Sequence, residues 1–152
     1  MKKKIILSIF VLLMVITLTG CKSKTPLNPG EFKIQMQNKN YTVQDATNQF
    51  SSNPEIKQVY IALNSNYQIE YYEIDTEENA KLFYKDNRTI FEQSKGNTST
   101  YTTKEYGNYQ IYKLKTNGKY KVIARIGNTA IYLDVDNTYK SEIDSILDYL
   151  GY

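Results

Sequence analysis

Carboxylates are the side chains in this chain whose type and spacing come nearest to a catalytic set. Glu70, Glu73, Asp75, Glu77 and Glu78 lie close together in sequence, and two neighbouring carboxyls can divide the roles of general acid and general base in a hydrolysis. The same residues have a simpler reading. Glu73 alternates out of a strand, while Asp75, Glu77 and Glu78 open a helix, where negative charge is favoured by the free backbone N–H groups. Histidine is absent and Cys21 is the single cysteine, which removes Ser-His and Cys-His triads, histidine metal ligands and the usual proton shuttle near neutral pH. Neither a Ser-x-x-Lys pair nor a Gly-rich phosphate loop is present. Asp134-Val135-Asp136-Asn137 offers oxygens for calcium, but Tyr139 stands where an EF-hand loop needs its glycine and Ser145 where it needs a bidentate glutamate. Asp136 or Asn137 capping the last helix explains these residues more simply. The expectation is a non-enzyme without metal or cofactor, with a paired-carboxylate hydrolase as the alternative.

Recognition chemistry has more to work with. The chain holds 15 tyrosines and no tryptophan, and tyrosine and arginine are favoured contact residues because they bury large areas with few rotors and still hydrogen-bond. If the C-terminal strands pair as set out below, one sheet face carries Tyr101, Tyr112 and Tyr132 with Leu114 and Ile123, edged by Glu105, Lys121 and Arg125. That face suits a protein or envelope-polymer partner if it is open. A covering segment from the first half of the chain would instead make it core, with Arg125 in a buried ion pair or stacked on aromatic rings.

The elements that position these residues are set by turns. Gly107-Asn108, Asn117-Gly118 and Gly127-Asn128 recur every ten residues, and each suits a two-residue hairpin because Gly and Asn tolerate positive φ. Four strands follow, at about Ser99 to Tyr106, Tyr109 to Thr116, Lys119 to Ile126 and Thr129 to Val135. The last hairpin sets Ile126 opposite Thr129, Ala124 opposite Ile131, Val122 opposite Leu133 and Tyr120 opposite Val135, an apolar face, and puts Lys121 opposite Asp134 on the reverse. Upstream, Asp75 and Glu78 read as the capping box of a long helix whose inward stripe is Ala80, Phe83, Tyr84, Asn87, Ile90 and Phe91, ending at Lys95-Gly96. Tyr139, Ile143, Ile146, Leu147 and Leu150 give a C-terminal helix, stopped by Gly151 and locked by Tyr152. Val59 to Leu63 and Tyr67 to Ile74 read as strands, Tyr41 to Val43 as a short strand and Phe32 to Gln37 as a short helix, with Asp45 to Pro54 as loop. The fold class is α+β: an antiparallel sheet containing a four-stranded C-terminal meander, with the long central helix and the C-terminal helix packed on one face.

The start of the chain carries its own chemistry. Lys2, Lys3 and Lys4 precede an apolar run from Ile5, which ends in Leu18-Thr19-Gly20-Cys21. The run is too short to span a bilayer, which takes about 20 apolar residues, and small residues before a cysteine fit a peptidase cleft. This segment resembles the lipobox of bacterial lipoproteins. The resemblance implies cleavage before Cys21, acylation of its thiol and an extracytoplasmic chain held to the cell membrane by lipid, with two acyl chains giving a durable anchor. Removing the first 20 of 152 residues leaves 132, and without Lys2, Lys3 and Lys4 the 19 basic residues become 16, equal to the 16 acidic ones. A neutral mature chain gives no basis for nucleic-acid binding. The organisation expected is a signal peptide over 1–20, lipidated Cys21 and a flexible tether over 21–31, and one globular domain over 32–152. The function expected is a membrane-anchored, non-catalytic binding or accessory module.

Overall fold

The computed structural model describes residues 23–152, so the expected signal peptide and the expected lipidation site Cys21 lie outside the described residues. The elements are α1 (Pro29–Asn38), β1 (Thr42–Asp45), β2 (Ile56–Leu63), β3 (Gln68–Ile74), α2 (Glu77–Gln93), β4 (Thr100–Tyr106), β5 (Tyr109–Thr116), β6 (Lys119–Ile126), β7 (Thr129–Asp136) and α3 (Lys140–Tyr149), with 3₁₀ turns at Thr47–Phe50 and Asn137–Tyr139. The strands form one antiparallel sheet in the order β1-β2-β3-β7-β6-β5-β4. Helix α2 carries the chain from β3 to the far edge, and the meander β4 to β7 returns strand by strand until β7 pairs with β3. The fold is α+β with the expected four-stranded meander.

Turn chemistry fixes that meander. Gly107 and Gly127 take φ of 54° and 55° while the asparagines after them stay at negative φ, the type II′ pattern. Asn117 and Gly118 are both positive, at 47° and 75°, the type I′ pattern. Two-residue turns leave one register, and it is the expected one: Ile126 faces Thr129, Ala124 faces Ile131, Val122 faces Leu133 and Tyr120 faces Val135. On the reverse side Lys121 pairs with Asp134 at 2.9 Å.

Both faces of this sheet are covered. Helices α1 and α3 pack on the face of Ile111, Val122, Ala124, Ile131 and Leu133. Helix α2 packs on the other, with Ala80 against Val59, Tyr72 and Ala130, and with Tyr84 and Phe91 against Tyr112, Leu114 and Ile123. The expectation that α2 and α3 share a face is therefore corrected. The physical signal is in β6, where Val122, Ile123 and Ala124 form an unbroken apolar run with no exposed surface, the pattern of a strand buried on both sides.

Details at the helix ends also differ from expectation. Thr76, not Asp75, caps α2 by accepting the Asn79 N–H, while Asp75 accepts from the Asn79 side chain. Ile90 lies 56% exposed on the outer face of α2, outside its inward stripe. Helix α1 begins at Pro29, because Asn28 and Glu31 form a reciprocal capping box around a proline at the first helical position. The chain before it is docked rather than free: the Asn108 side chain brackets Lys24, accepting its N–H at 2.9 Å and donating to its carbonyl at 2.7 Å. The expected flexible tether over 21–31 is thus ordered from Lys24 onward. At the other terminus Gly151 takes φ of 85° and Tyr152 folds back into the core, its hydroxyl 2.7 Å from that of Thr129.

Candidate functional site

Strands β1 and β4 are the two edges of the sheet, and every residue of β4 is exposed. Helix α3 covers β6 and β7 but stops short of β4, so the α3 side of the ribbon β4–β5 is left as the floor of a groove of about 300 Å³. The periods of its walls place the side chains. In β5, Tyr109, Ile111, Lys113 and Lys115 are spaced by two and share this face, while in α3, Lys140, Asp144 and Asp148 are spaced by four and form one stripe. Lys104 and Thr102 from β4 and Tyr120 from β6 complete the lining.

Asp144 is the hub. Its Oδ1 accepts from Lys113 Nζ at 2.7 Å and from the Tyr120 hydroxyl at 2.6 Å, and its Oδ2 accepts from Lys140 Nζ at 2.6 Å. Burial by itself would raise the pKa of this carboxyl, but the bonds from Lys113, Lys140 and Tyr120 outweigh it and hold the value down to about 2. Such a carboxylate stays ionised and is a poor proton acceptor. It is a fixed negative pin that orients two lysines and a phenol. Lys104 and Lys115, both exposed, have no carboxylate within ion-pair distance among the described residues. Four lysines against two aspartates leave the groove positive, and it can hold an anion. At its lower end Lys24 lies 3.9 Å from the centre of the Tyr109 ring and donates to the Gly151 carbonyl at 2.7 Å. Burial lowers the pKa of this ammonium and Lys104 lowers it further, against the opposing pull of Asp148.

The tyrosine face is assembled in the expected register but is not open. Helix α2 lies across it, leaving Tyr112 without exposed surface, Arg125 at 1% and Tyr132 half-buried against Phe91. Tyr101 alone among the four proposed binding residues is well exposed, at 57%, because it sits in the edge strand. Arg125 is a structural clamp: Nε donates to Gln110, Nη1 donates to the Gly127 carbonyl at 2.7 Å, and the same nitrogen pairs with Glu77 at 3.2 Å. It ties β5, the β6–β7 turn and the first turn of α2 together. Contacts that a partner would have supplied come from α2 and the turn after it, with Arg88 lying 5.0 Å over Tyr112 and Lys95 4.0 Å over Tyr101.

The sequence-proximal carboxylates do not meet. Glu70 accepts from the hydroxyl of Tyr72 and from Gln68, Glu77 pairs with Arg125, Glu78 with Lys81, and Asp75 with Asn79. The cavity of about 200 Å³ beside β3 and α2 is lined by Glu55 and Asp86 and by none of these five. Among the described residues no cluster of three or more acidic side chains could hold a metal ion. Asp136 caps the turn into α3 through Thr138.

The groove was absent from the sequence reading, although a signal for it exists. Lys113 and Lys115 continue the Tyr109–Ile111 face of β5, where apolar residues would be expected, and α3 presents charges at the matching i, i+4 positions. Comparison of the chain with family models, with curated proteins and with solved structures gives no match, so its function has to be argued from this geometry.

Proposed function

We propose that the chain is a non-catalytic extracytoplasmic binding module, anchored to the membrane through acylated Cys21, that holds an anionic ligand in the groove between β4, β5 and α3. One observation carries the reading: Lys104, Lys113, Lys115 and Lys140 converge on a single concavity in which Asp144 pins two of them and leaves Lys104 and Lys115 for a ligand. A structural role alone would not require two further cations facing the same space, since like charges brought together in a folded chain repel. The pinned carboxylate, held ionised, gives no proton-transfer group, which suits retention better than reaction. The open edge of β4 makes the groove long rather than deep and favours an extended ligand bearing several carboxylates or phosphates.

Calorimetric titration with oligoglutamate and with inorganic polyphosphate tests this. Binding of at least one probe should weaken about tenfold or more in the Lys104→Glu/Lys115→Glu variant, and should weaken with added salt as exposed charges are screened. Affinity for both probes unchanged by the double substitution would remove the groove as the site.

A further inference from the structure

The first described residues form a strap across one pole of the domain. Asn108 brackets the Lys24 backbone by two hydrogen bonds, Lys24 Nζ caps the Gly151 carbonyl, and the Tyr71 hydroxyl donates to the Leu27 carbonyl at 2.6 Å. Pro26 is seated so closely on Gly127 that a Cβ there would lie 2.7 Å from the proline ring. Strap, C-terminus and the turns at Gly107-Asn108 and Gly127-Asn128 therefore share one end of the sheet. Lys24 follows Cys21 by only three chain positions, which fully extended span about 11 Å. That is little more than the headgroup layer, about 5–8 Å deep on each side of the hydrocarbon.

We propose that this pole rests on the bilayer surface, with the β4–β5 corner and its exposed Tyr106 lodged among lipid headgroups. The inference rests on the acylation of Cys21 and adds to it a fixed orientation. A chain free up to Glu31 would have about 33 Å of reach and would set no orientation. With Lys24 clamped, the anchor is short and attached at a single pole. Within that pole the corner is chosen by chemistry. Tyr106 is 46% exposed, its ring 5.0 Å from that of Tyr109, and tyrosine favours the membrane–water boundary. Asp75, which has no ion-pair partner among the described residues, leaves the same end of the sheet from β3, on the far side of β7, β6 and β5 from the β4 edge, so an anionic leaflet repels that side and tilts β4 downward. The lysine groove then starts beside the headgroups and runs away from them along β5.

The test uses full-length acylated protein in vesicles of phosphatidylcholine and phosphatidylglycerol containing a headgroup-attached quencher. A fluorophore is placed on Tyr106→Cys in one sample and on Ser65→Cys, in the exposed β2–β3 turn, in another. Quenching should be at least about threefold stronger at position 106. A flexible Gly-Ser insertion of about ten residues after Lys22, which leaves the clamp and the fold untouched, should bring the two sites to similar weak quenching. Equal weak quenching in the uninserted protein, with acyl chains on Cys21 shown by mass spectrometry, would overturn the orientation and leave the anchor standing. Absence of acyl chains would overturn both.

Discussion

Asp144 is the residue on which the groove turns, and its ionisation makes a prediction with a definite sign. Its carboxyl has an ordinary pKa of 3.8 and a folded value of about 2, so the protonated unfolded chain is favoured only as the medium acidifies between these values. Its contribution is fully present above about pH 5 and is lost as pH falls from about 4 to 2, worth about 1–2 kcal/mol after allowance for its partial exposure. Urea unfolding of the parent and of Asp144→Asn should differ by that amount at pH 6 and converge near pH 2. An equal gap at both pH values would mean that packing, not charge, explains the loss. Arg125 is the contrasting residue. The sequence marked it as exceptional, one of only two arginines in the chain and set among aromatic neighbours, and left a ligand role and a structural one equally open. Three hydrogen-bonding groups from separate elements answer this, because a guanidinium without exposed surface needs its donors satisfied internally.

At the level of elements, hairpin turns were the most legible feature because their chemistry is local. Type I′ and II′ turns demand positive φ at stated positions, and Gly and Asn supply it within two residues of sequence. Gly118 is the cleanest test, since an added Cβ would meet nothing within 4 Å, yet its φ is 75°. Gly118→Val should therefore cost about 1–3 kcal/mol through the backbone alone, read as a lower calorimetric melting temperature, whereas Gly118→Asn should cost much less. Equal melting of the valine variant and the parent would show that the β5–β6 turn does not depend on left-handed backbone. Helix placement was less legible. The apolar stripe of α2 says that the helix packs, but a stripe carries no information on which side of a sheet receives it. Lys121 opposite Asp134 read as a solvent side, yet Lys121 also lies 5.5 Å over the Phe91 ring at the margin of α2, where an ion pair and a helix rim coexist.

The described part of the molecule is a sheet covered on both faces, with a cationic groove beside its β4 edge and a strap from Lys24 across a single pole. Release of the chain is the molecular-scale prediction: Cys21→Ala should abolish incorporation of labelled palmitate and move the protein from the membrane to the soluble fraction or leave it as uncleaved precursor, followed by fractionation and immunoblotting. Palmitate incorporation equal to the parent would contradict the anchor. Among the described residues no helix is long and apolar enough to cross a membrane. The sequence by itself determined the α+β class, the meander, its register, the C-terminal lock and the expectation of a lipid anchor, because each of these depends on spacings of two to four residues, on turn chemistry or on a contiguous motif. Tertiary structure alone decided that α2 closes the tyrosine face, that Asn108 holds Lys24 across 84 positions of sequence, and that lysines from β4, β5 and α3 share one groove. These are meetings between distant segments, fixed by which surface each element buries, and the pattern of a segment states that it has a face to bury without naming its partner.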